Sequence, residues 1–194
     1  NHAEWSSIIP SNPYSASKSC QEAIAISYWR TYNVPVFITN TMNLFGERQH
    51  SEKYIPRVIN AVLDGKTVQV HADSTRTVAG SRYYLHCRNA AAAIVFLLRC
   101  ELPVVGAKYW RVNVVGEHEL DNLELARRIA AVAGRPLSYE LVDFHSSRPG
   151  HDLRYALDGS KLASLGFNYP KGFDESLEKT VRWTLEHPEW LLRN

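Results

Sequence analysis

The sequence predicts an α/β protein, because apolar helical segments alternate with short β-branched segments along its 194 residues. A helical segment begins at Pro13 and is broken at Asn33, Val34 and Pro35. The next segment, residues 36–39, is β-branched and almost continuously apolar, which is typical of a parallel strand buried on both faces. The same alternation recurs along the rest of the chain, without an internal repeat or a low-complexity linker.

The first helix has a well-defined beginning in the sequence. Ser11 or Asn12 can cap it, and Pro13 fits its first turn, where the missing N–H costs nothing. We expect this helix to run to about Arg30. The residues before it, 1–9, are polar and irregular.

Periodicity and turn residues predict the remaining elements. The helices are expected at about 55–63, 87–99, 119–133 and 174–187, and the strands at 67–71, 82–86, 108–115 and 137–142. The helix at 87–99 is expected to be buried. In the helix at 119–133, Asp121 lies near the beginning and Gly134 just beyond the end.

Composition excludes several classes of function. A formal net charge of +2 and a pI near 8.4 are too mild to indicate nucleic-acid binding. The longest apolar run, residues 90–98, is far shorter than the roughly 20 residues needed to cross a bilayer. Three unpaired cysteines indicate reduced thiols and a cytoplasmic location. The histidines have no HxxxH or HExxH spacing, and no CxxC is present, so no metal site is expected.

Tyr14 and Lys18 form a YxxxK pattern near the start of the first helix. Residues four apart on a helix share a face, so the phenol and the ammonium group point into the same space. A nearby cation lowers a tyrosine pKa that is otherwise about 10, which makes the phenol a usable acid and base near neutrality. The spacing occurs by chance in many helices, and its neighbours decide whether it is catalytic.

Seven segments in order carry a family resemblance. They are residues 10–18 (PSNPYSASK), 39–46 (TNTMNLFG), 52–56 (EKYIP), 82–86 (RYYLH), 112–114 (VNV), 148–156 (RPGHDLRYA) and 179–183 (KTVRW). They resemble the extended short-chain dehydrogenases/reductases of the NAD-dependent epimerase/dehydratase family, and most closely the dTDP-glucose 4,6-dehydratase group. This resemblance implies the latter half of a doubly wound Rossmann-type parallel sheet, plus a small α/β substrate-binding domain.

The resemblance also implies roles for individual residues. Tyr14 would help to oxidise the sugar C4 hydroxyl as hydride passes to NAD, Lys18 would hold the nicotinamide ribose, and Leu44 would touch the cofactor. The residues implied in binding a nucleotide-diphosphate sugar are Asn43, Lys53, Tyr54, His71, Arg82, Asn113, Arg148 and His151. Guanidinium and amide donors suit a diphosphate. Ordinary alternatives are a turn role for Asn43 and surface ion pairs for the arginines.

By the same resemblance, residues 1–66 are expected to be the C-terminal part of the NAD-binding domain. Residues 67–194 would mainly form the substrate-binding domain, with the helix and strand over 87–115 returning to the Rossmann sheet. The helix that carries Tyr14 commonly forms a dimer interface in this family, so a homodimer is expected.

The implied reaction is a 4,6-dehydration: oxidation at C4, elimination of water across C5–C6, and return of hydride to C6. No two glycines are three residues apart, so the glycine-rich NAD loop lies outside this sequence. The family's upstream Asp-Glu pair is also outside it, and we expect this part alone to be inactive. Tyr83 and Tyr84 replace the usual Asp-Trp. A 4-epimerase, a decarboxylase, or a non-catalytic nucleotide-sugar-binding module therefore stay open as alternatives.

Overall fold

A computed structural model describes residues 1–100, 110–144 and 152–192, and helices and strands alternate within them. The α-helices of this part are α1 (Pro13–Tyr32), α2 (Tyr54–Leu63), α3 (Cys87–Arg99), α4 (Asn122–Ala133), α5 (Ser160–Ser164) and α6 (Phe173–Glu186). A short 3-10 helix follows at Pro188–Trp190. Among the described residues, no helix is both long enough and apolar enough to cross a lipid bilayer.

Parallel pairing dominates the strands. They are β1 (Phe37–Thr41), β2 (Leu44–Phe45), β3 (Val68–Ala72), β4 (Ser81–Tyr83), β5 (Leu85–His86), β6 (Trp110–Val114), β7 (Glu119–Asp121), β8 (Tyr139–Asp143) and β9 (Arg154–Tyr155). The pairs β1–β6, β2–β5 and β3–β8 are parallel. In the remaining sheet β4 is central, antiparallel to β7 and parallel to β9. The predicted α/β class is confirmed.

Helix α1 begins as the sequence predicts. The side chain of Asn12 accepts a hydrogen bond from the backbone N–H of Ser15, and Ser15 Oγ accepts one from the backbone N–H of Asn12. This reciprocal capping box satisfies two N–H groups that a helix otherwise leaves unpaired. The helix ends at Tyr32, two residues beyond the expected end, because Asn33 adopts the left-handed conformation with φ of 54°.

The expectation that the first strand is buried on both faces is wrong. All five residues of β1 are only half-buried. The strand pairs with β6 along one edge, and no other strand of the described residues pairs with its second edge. An apolar sequence alone does not reveal how many neighbours a strand has.

The expectation that helix α3 is buried is correct for one face only. Its buried face contains Ala90, Ala93 and Leu97, which pack in one cluster with Val112 and Val114 of β6. The opposite face is exposed, although it is also apolar, and it carries Ile94, Val95 and Leu98. The helix is apolar on both faces, so its sequence could not indicate which face packs.

Two predicted elements are divided in the structure. The predicted helix at 119–133 begins as strand β7, because Glu119 pairs with Tyr83 of β4. Asp121 then caps α4 by accepting a hydrogen bond from the N–H of Glu124 at 2.8 Å. The predicted strand at 82–86 splits at Tyr84 into β4 and β5, which pair with different partners.

The largest hydrophobic cluster packs α2, α4 and α6 against β3. Its fully buried members include Ile59, Val70, Leu125, Ile129 and Val181. A second cluster joins α3 and α5 to β6, with Leu162 of α5 in contact with the strand residues. Burial of apolar area in these two clusters is the main stabilising contribution to the fold.

Helix α1 is held to the sheet differently, because none of its residues is fully buried. Its Glu22 forms an ion pair with Arg111 of β6, and both side chains are largely shielded from solvent. The Arg111 guanidinium also donates from Nη1 to the carbonyl of Glu4 at 2.6 Å. Two buried charges that compensate each other thus fix the position of α1 on the β1–β6 pair.

We predict that Arg111→Met lowers the free energy of unfolding by about 3 kcal/mol, because it leaves the Glu22 carboxylate shielded from water without a counter-charge. Urea unfolding measures this. The double variant Glu22→Gln/Arg111→Met should regain part of the loss, since the charge of Glu22 is removed together with that of its partner.

Arg182→Met is the matched control, because Arg182 forms an exposed ion pair with Glu178. We expect it to change the free energy of unfolding by less than about 1 kcal/mol. Equal effects of the Arg111 and Arg182 substitutions would show that the Glu22 pair does not anchor α1.

Candidate functional site

Tyr14 and Lys18 lie together on the first turns of α1. The Lys18 ammonium nitrogen is 5.8 Å from the centroid of the Tyr14 ring, so the two side chains share a face as their spacing predicts. Lys18 Nζ donates to the side chain of Gln21 at 3.2 Å. Tyr14 is 68% exposed, which leaves its hydroxyl accessible to a bound molecule.

Tyr155 of β9 lies within electrostatic range of Tyr14. Burial raises the pKa of Tyr155, and the charges of Asp152 and Tyr14 contribute to the same shift. The residues just before β9 include the predicted site residues Arg148 and His151, which lie outside the described residues.

A cavity of about 390 Å³ lies between β2 and the beginning of α2. Four predicted site residues line it: Asn43, Leu44, Lys53 and Tyr54. Lys53 is the N-cap residue of α2, and its side chain makes no capping hydrogen bond. The first N–H groups of a helix and its dipole favour an anion there, and a lysine ammonium adds a full positive charge. This end of the cavity is suited to bind an anion.

Asn122, at the start of α4, fixes the wall of the cavity. Its carbonyl accepts a hydrogen bond from the Tyr54 hydroxyl at 2.7 Å, and its side-chain oxygen accepts one from the Tyr84 hydroxyl at 2.6 Å. Burial raises the pKa of both tyrosines, which keeps them neutral. The Tyr54 hydroxyl is thus engaged by the protein, and its ring is what the cavity presents.

Tyr14 and Lys18 do not line this cavity, and neither do three of the predicted substrate-binding residues, Arg82, His71 and Asn113. Arg82 donates from Nη1 to the carbonyls of Ser81 and Leu153, each at 2.6 Å, and from Nη2 to the carbonyl of Asp152. Its guanidinium therefore holds β4 against the chain that leads into β9. His71 packs its ring 5.2 Å from that of Phe144.

Asn113, on β6, is 0% exposed. Its side-chain amide donates to the carbonyls of His2 and Asp158 at 3.1 and 3.0 Å, and its backbone N–H donates to the carboxylate of Glu4. These contacts join the N-terminal segment to the end of β6. In this arrangement the protein's own carbonyls accept the hydrogen bonds of the Asn113 side-chain amide nitrogen.

The sequence reasoning missed His50 and Gln49, which also line the cavity. Gln49 donates to the carbonyl of Leu44 at 2.9 Å, and His50 Nδ1 accepts from the N–H of Glu52 at 3.3 Å. Both residues lie in the connection between β2 and α2. The sequence did contain a signal for His50, because it lies between Asn43 and Lys53, two residues predicted to bind the ligand.

A further polar cluster lies outside this cavity. Ligand atoms of Glu47, His86 and Cys87 lie within 4.8 Å of one another. The Nδ1 atom of His86 accepts from the N–H of Arg88 and caps α3, so the proton of the neutral ring is on Nε2, which faces a Glu47 oxygen at 3.3 Å. With that proton in place Nε2 has no lone pair for a metal ion. The cluster is explained by two roles of His86, which caps α3 and pairs with the Glu47 carboxylate.

Comparison with known proteins gives a family match over nearly the whole chain. A family model described as GDP-mannose 4,6 dehydratase matches residues 2–180. A probable dTDP-glucose 4,6-dehydratase of Sinorhizobium fredii is 37% identical over an alignment 187 residues long, which covers 93% of this chain and 51% of that protein. The resemblance found in the sequence is confirmed. The chain spans about half the length of the curated relatives it matches.

Solved structures agree with this match. The dTDP-glucose 4,6-dehydratase DesIV of Streptomyces venezuelae, crystallised with NAD and TYD, aligns with a TM-score of 0.82 and 34% identity over 98% of this chain and 56% of that chain. A UDP-glucuronic acid 4-epimerase of Bacillus cereus aligns with a TM-score of 0.79 over 96% of this chain and 61% of that chain. At 19% identity the epimerase shows the shared fold alone. The predicted Rossmann-type fold class is confirmed.

We predict that His86 makes the stability of the protein depend on pH. Burial lowers the pKa of His86 below its usual value, although the Glu47 carboxylate opposes the shift. The unfolded chain therefore binds this proton more readily, and the free energy of unfolding falls as the pH drops below about 6.5. The variant His86→Asn keeps a cap that can accept from Arg88 but cannot titrate.

Urea unfolding between pH 7.5 and pH 5 should show a shallower loss of stability in His86→Asn than in the wild-type chain. The exposed His118, replaced by Asn, controls for the loss of a histidine elsewhere. If His86→Asn and the wild type lose stability in parallel, the His86 proton does not determine the pH dependence.

Proposed function

This chain belongs to the GDP-mannose 4,6 dehydratase family, and we propose that it is part of an NAD-dependent nucleotide-sugar 4,6-dehydratase. In this proposal it supplies the substrate-binding region together with the catalytic pair Tyr14 and Lys18. The observation that carries the proposal is the cavity at the beginning of α2, where Asn43 and Lys53 face the same space. The relatives named as dTDP-glucose 4,6-dehydratases support the dehydratase over the other activities of this fold.

The substrate diphosphate would bind where α2 begins. The Lys53 ammonium group, the Asn43 amide and the first N–H groups of α2 are the donors available there. The rings of Tyr54 and Tyr84, held in place by Asn122, would pack against the nucleoside or the sugar. We propose that Arg82 and Asn113 act indirectly, by holding the elements around the site.

The residues of this chain fit the nicotinamide end of NAD, which would supply the hydride acceptor. Tyr14 is exposed and lies beside Lys18. This position suits a phenol that must reach both a sugar hydroxyl and a cofactor. Tyr14 would take the proton of the C4 hydroxyl as hydride passes from C4 to NAD, and Lys18 would hold the nicotinamide ribose. Leu44, 43% exposed at the cavity, would contact the cofactor.

We further propose that these 194 residues bind the nucleotide sugar without turning it over, since no glycine pair of the NAD-loop spacing occurs in them. Residues 1–66 would belong to the NAD-binding domain and residues 67–194 mainly to the substrate-binding domain. The pairing of β6 with β1 supports the assignment of the 87–115 region to the first of these domains.

A homodimer through α1 is part of the same proposal. Ile24, Tyr28 and Tyr32 follow one another at intervals of four residues and are 58%, 53% and 68% exposed. The rings of Tyr28 and Tyr32 lie 5.6 Å apart. Such an exposed apolar stripe on a helix favours packing against a second helix.

We expect the 194-residue chain to bind dTDP, and Lys53→Met to weaken that binding about tenfold or more, because a charged hydrogen bond to phosphate is lost. Isothermal titration calorimetry measures the affinity. Lys66→Met is the control, because Lys66 is an exposed lysine beyond the end of α2 that pairs with Asp64.

The outcome that would contradict the proposed substrate class is an absence of dTDP and UDP binding by the correctly folded wild-type chain. Incubation with NAD and dTDP-glucose tests the second part of the proposal. Formation of a 4-keto sugar by these residues alone would contradict the expectation that they bind without catalysing.

The variant Tyr28→Glu is expected to shift the chain from dimer to monomer, because it places a charge in the middle of the α1 stripe. Sedimentation velocity over a range of protein concentrations reports the oligomeric state. Leu98→Glu on α3, which changes another exposed apolar residue, should leave the dimer intact. A wild-type chain that sediments as a monomer at all concentrations refutes this interface.

A further inference from the structure

We infer that His50 is a further substrate-binding residue, whose Nε2 atom donates a hydrogen bond to a diphosphate oxygen in the cavity at the beginning of α2. This inference rests on the proposed function and adds a residue that the family resemblance does not assign. His50 lies three residues before Lys53 and lines the same cavity. Three observations support a role in binding.

The first observation concerns the ring nitrogens of His50. Nδ1 accepts a hydrogen bond from the backbone N–H of Glu52 at 3.3 Å. In the neutral ring the proton must then be on Nε2, and in the charged ring Nε2 also carries a proton. Nε2 is therefore a donor in both states, and it is the ring nitrogen that the loop leaves for a ligand.

The second observation concerns the other polar groups around the cavity. The hydroxyls of Tyr54 and Tyr84 are bonded to Asn122, and the Gln49 amide nitrogen is bonded to the carbonyl of Leu44. Within residues 1–100, 110–144 and 152–192, no protein acceptor bonds the Asn43 amide, the Lys53 ammonium group or His50 Nε2. These three side chains are the donors that a ligand can use.

The third observation is the charge of the lining. None of the nine described residues that line the cavity is acidic, and the carboxylate of Glu52 is 3.8 Å from the Nδ1 atom of His50. One cation, two neutral donors and the N-terminus of a ten-residue helix thus face one space. Such a set of donors matches the oxygens of a diphosphate better than a neutral sugar ring.

The test compares two substitutions at this position by calorimetric titration of the full 194-residue chain with dTDP. His50→Phe keeps a planar ring without a donor and should weaken dTDP binding about tenfold. His50→Gln restores an N–H donor at a similar distance from the backbone and should bind within about threefold of the wild type. His118→Phe controls for the loss of an exposed histidine outside the cavity.

The inference is overturned if His50→Phe binds dTDP as tightly as the wild type, or if His50→Gln loses as much affinity as His50→Phe. The second outcome would mean that the shape of the ring, and not its hydrogen bond, is what matters. If the wild type binds dTDP and Lys53→Met weakens it while His50→Phe does not, the proposed function stands and this inference fails. If the wild type does not bind dTDP at all, the proposed function itself fails.

Discussion

The ion pair between Glu22 and Arg111 joins the helix that carries Tyr14 and Lys18 to the parallel sheet. Helix α1 buries none of its residues fully, so apolar packing alone does not fix its position. A pair of shielded charges holds α1 at one position on the sheet. Each charge has lost its contact with water, so it must lie opposite its partner. Tyr14 and Lys18, the proposed catalytic pair, lie about two turns and one turn before Glu22 on the same helix, and their position depends on this contact.

The cavity depends on a second constraint, the buried polar groups around Asn122. Both phenolic hydroxyls of its wall, those of Tyr54 and Tyr84, need a partner once they are removed from water. Asn122 supplies both, through its carbonyl and its side chain. The beginning of α4 thereby fixes the ring of Tyr54 at the beginning of α2. The anion-binding end and the aromatic wall of the proposed site are therefore set by different parts of the chain.

The family resemblance implied that all these residues bind one ligand, but the structure separates them into two groups. Asn43, Lys53 and Tyr54 do meet at one cavity. Arg82 and Asn113 are instead occupied by backbone carbonyls, those of Ser81, Asp152 and Leu153 for the arginine and those of His2 and Asp158 for the asparagine. A motif identifies the type of residue at a position. The hydrogen-bond partners of that residue can come from segments far away in the sequence, and the motif does not show them.

The sequence by itself determined the features that depend on near neighbours. The α/β class follows from the alternation of short apolar segments, the capped start of α1 from Ser11 or Asn12 followed by Pro13, and the family from seven short segments in order. Only the tertiary structure decided that residues 119–121 form a strand, that β1 is half-buried, and that His50 lines the cavity. The physical reason is that capping is a local hydrogen bond, whereas strand pairing, burial and the lining of a cavity depend on contacts between segments distant in sequence.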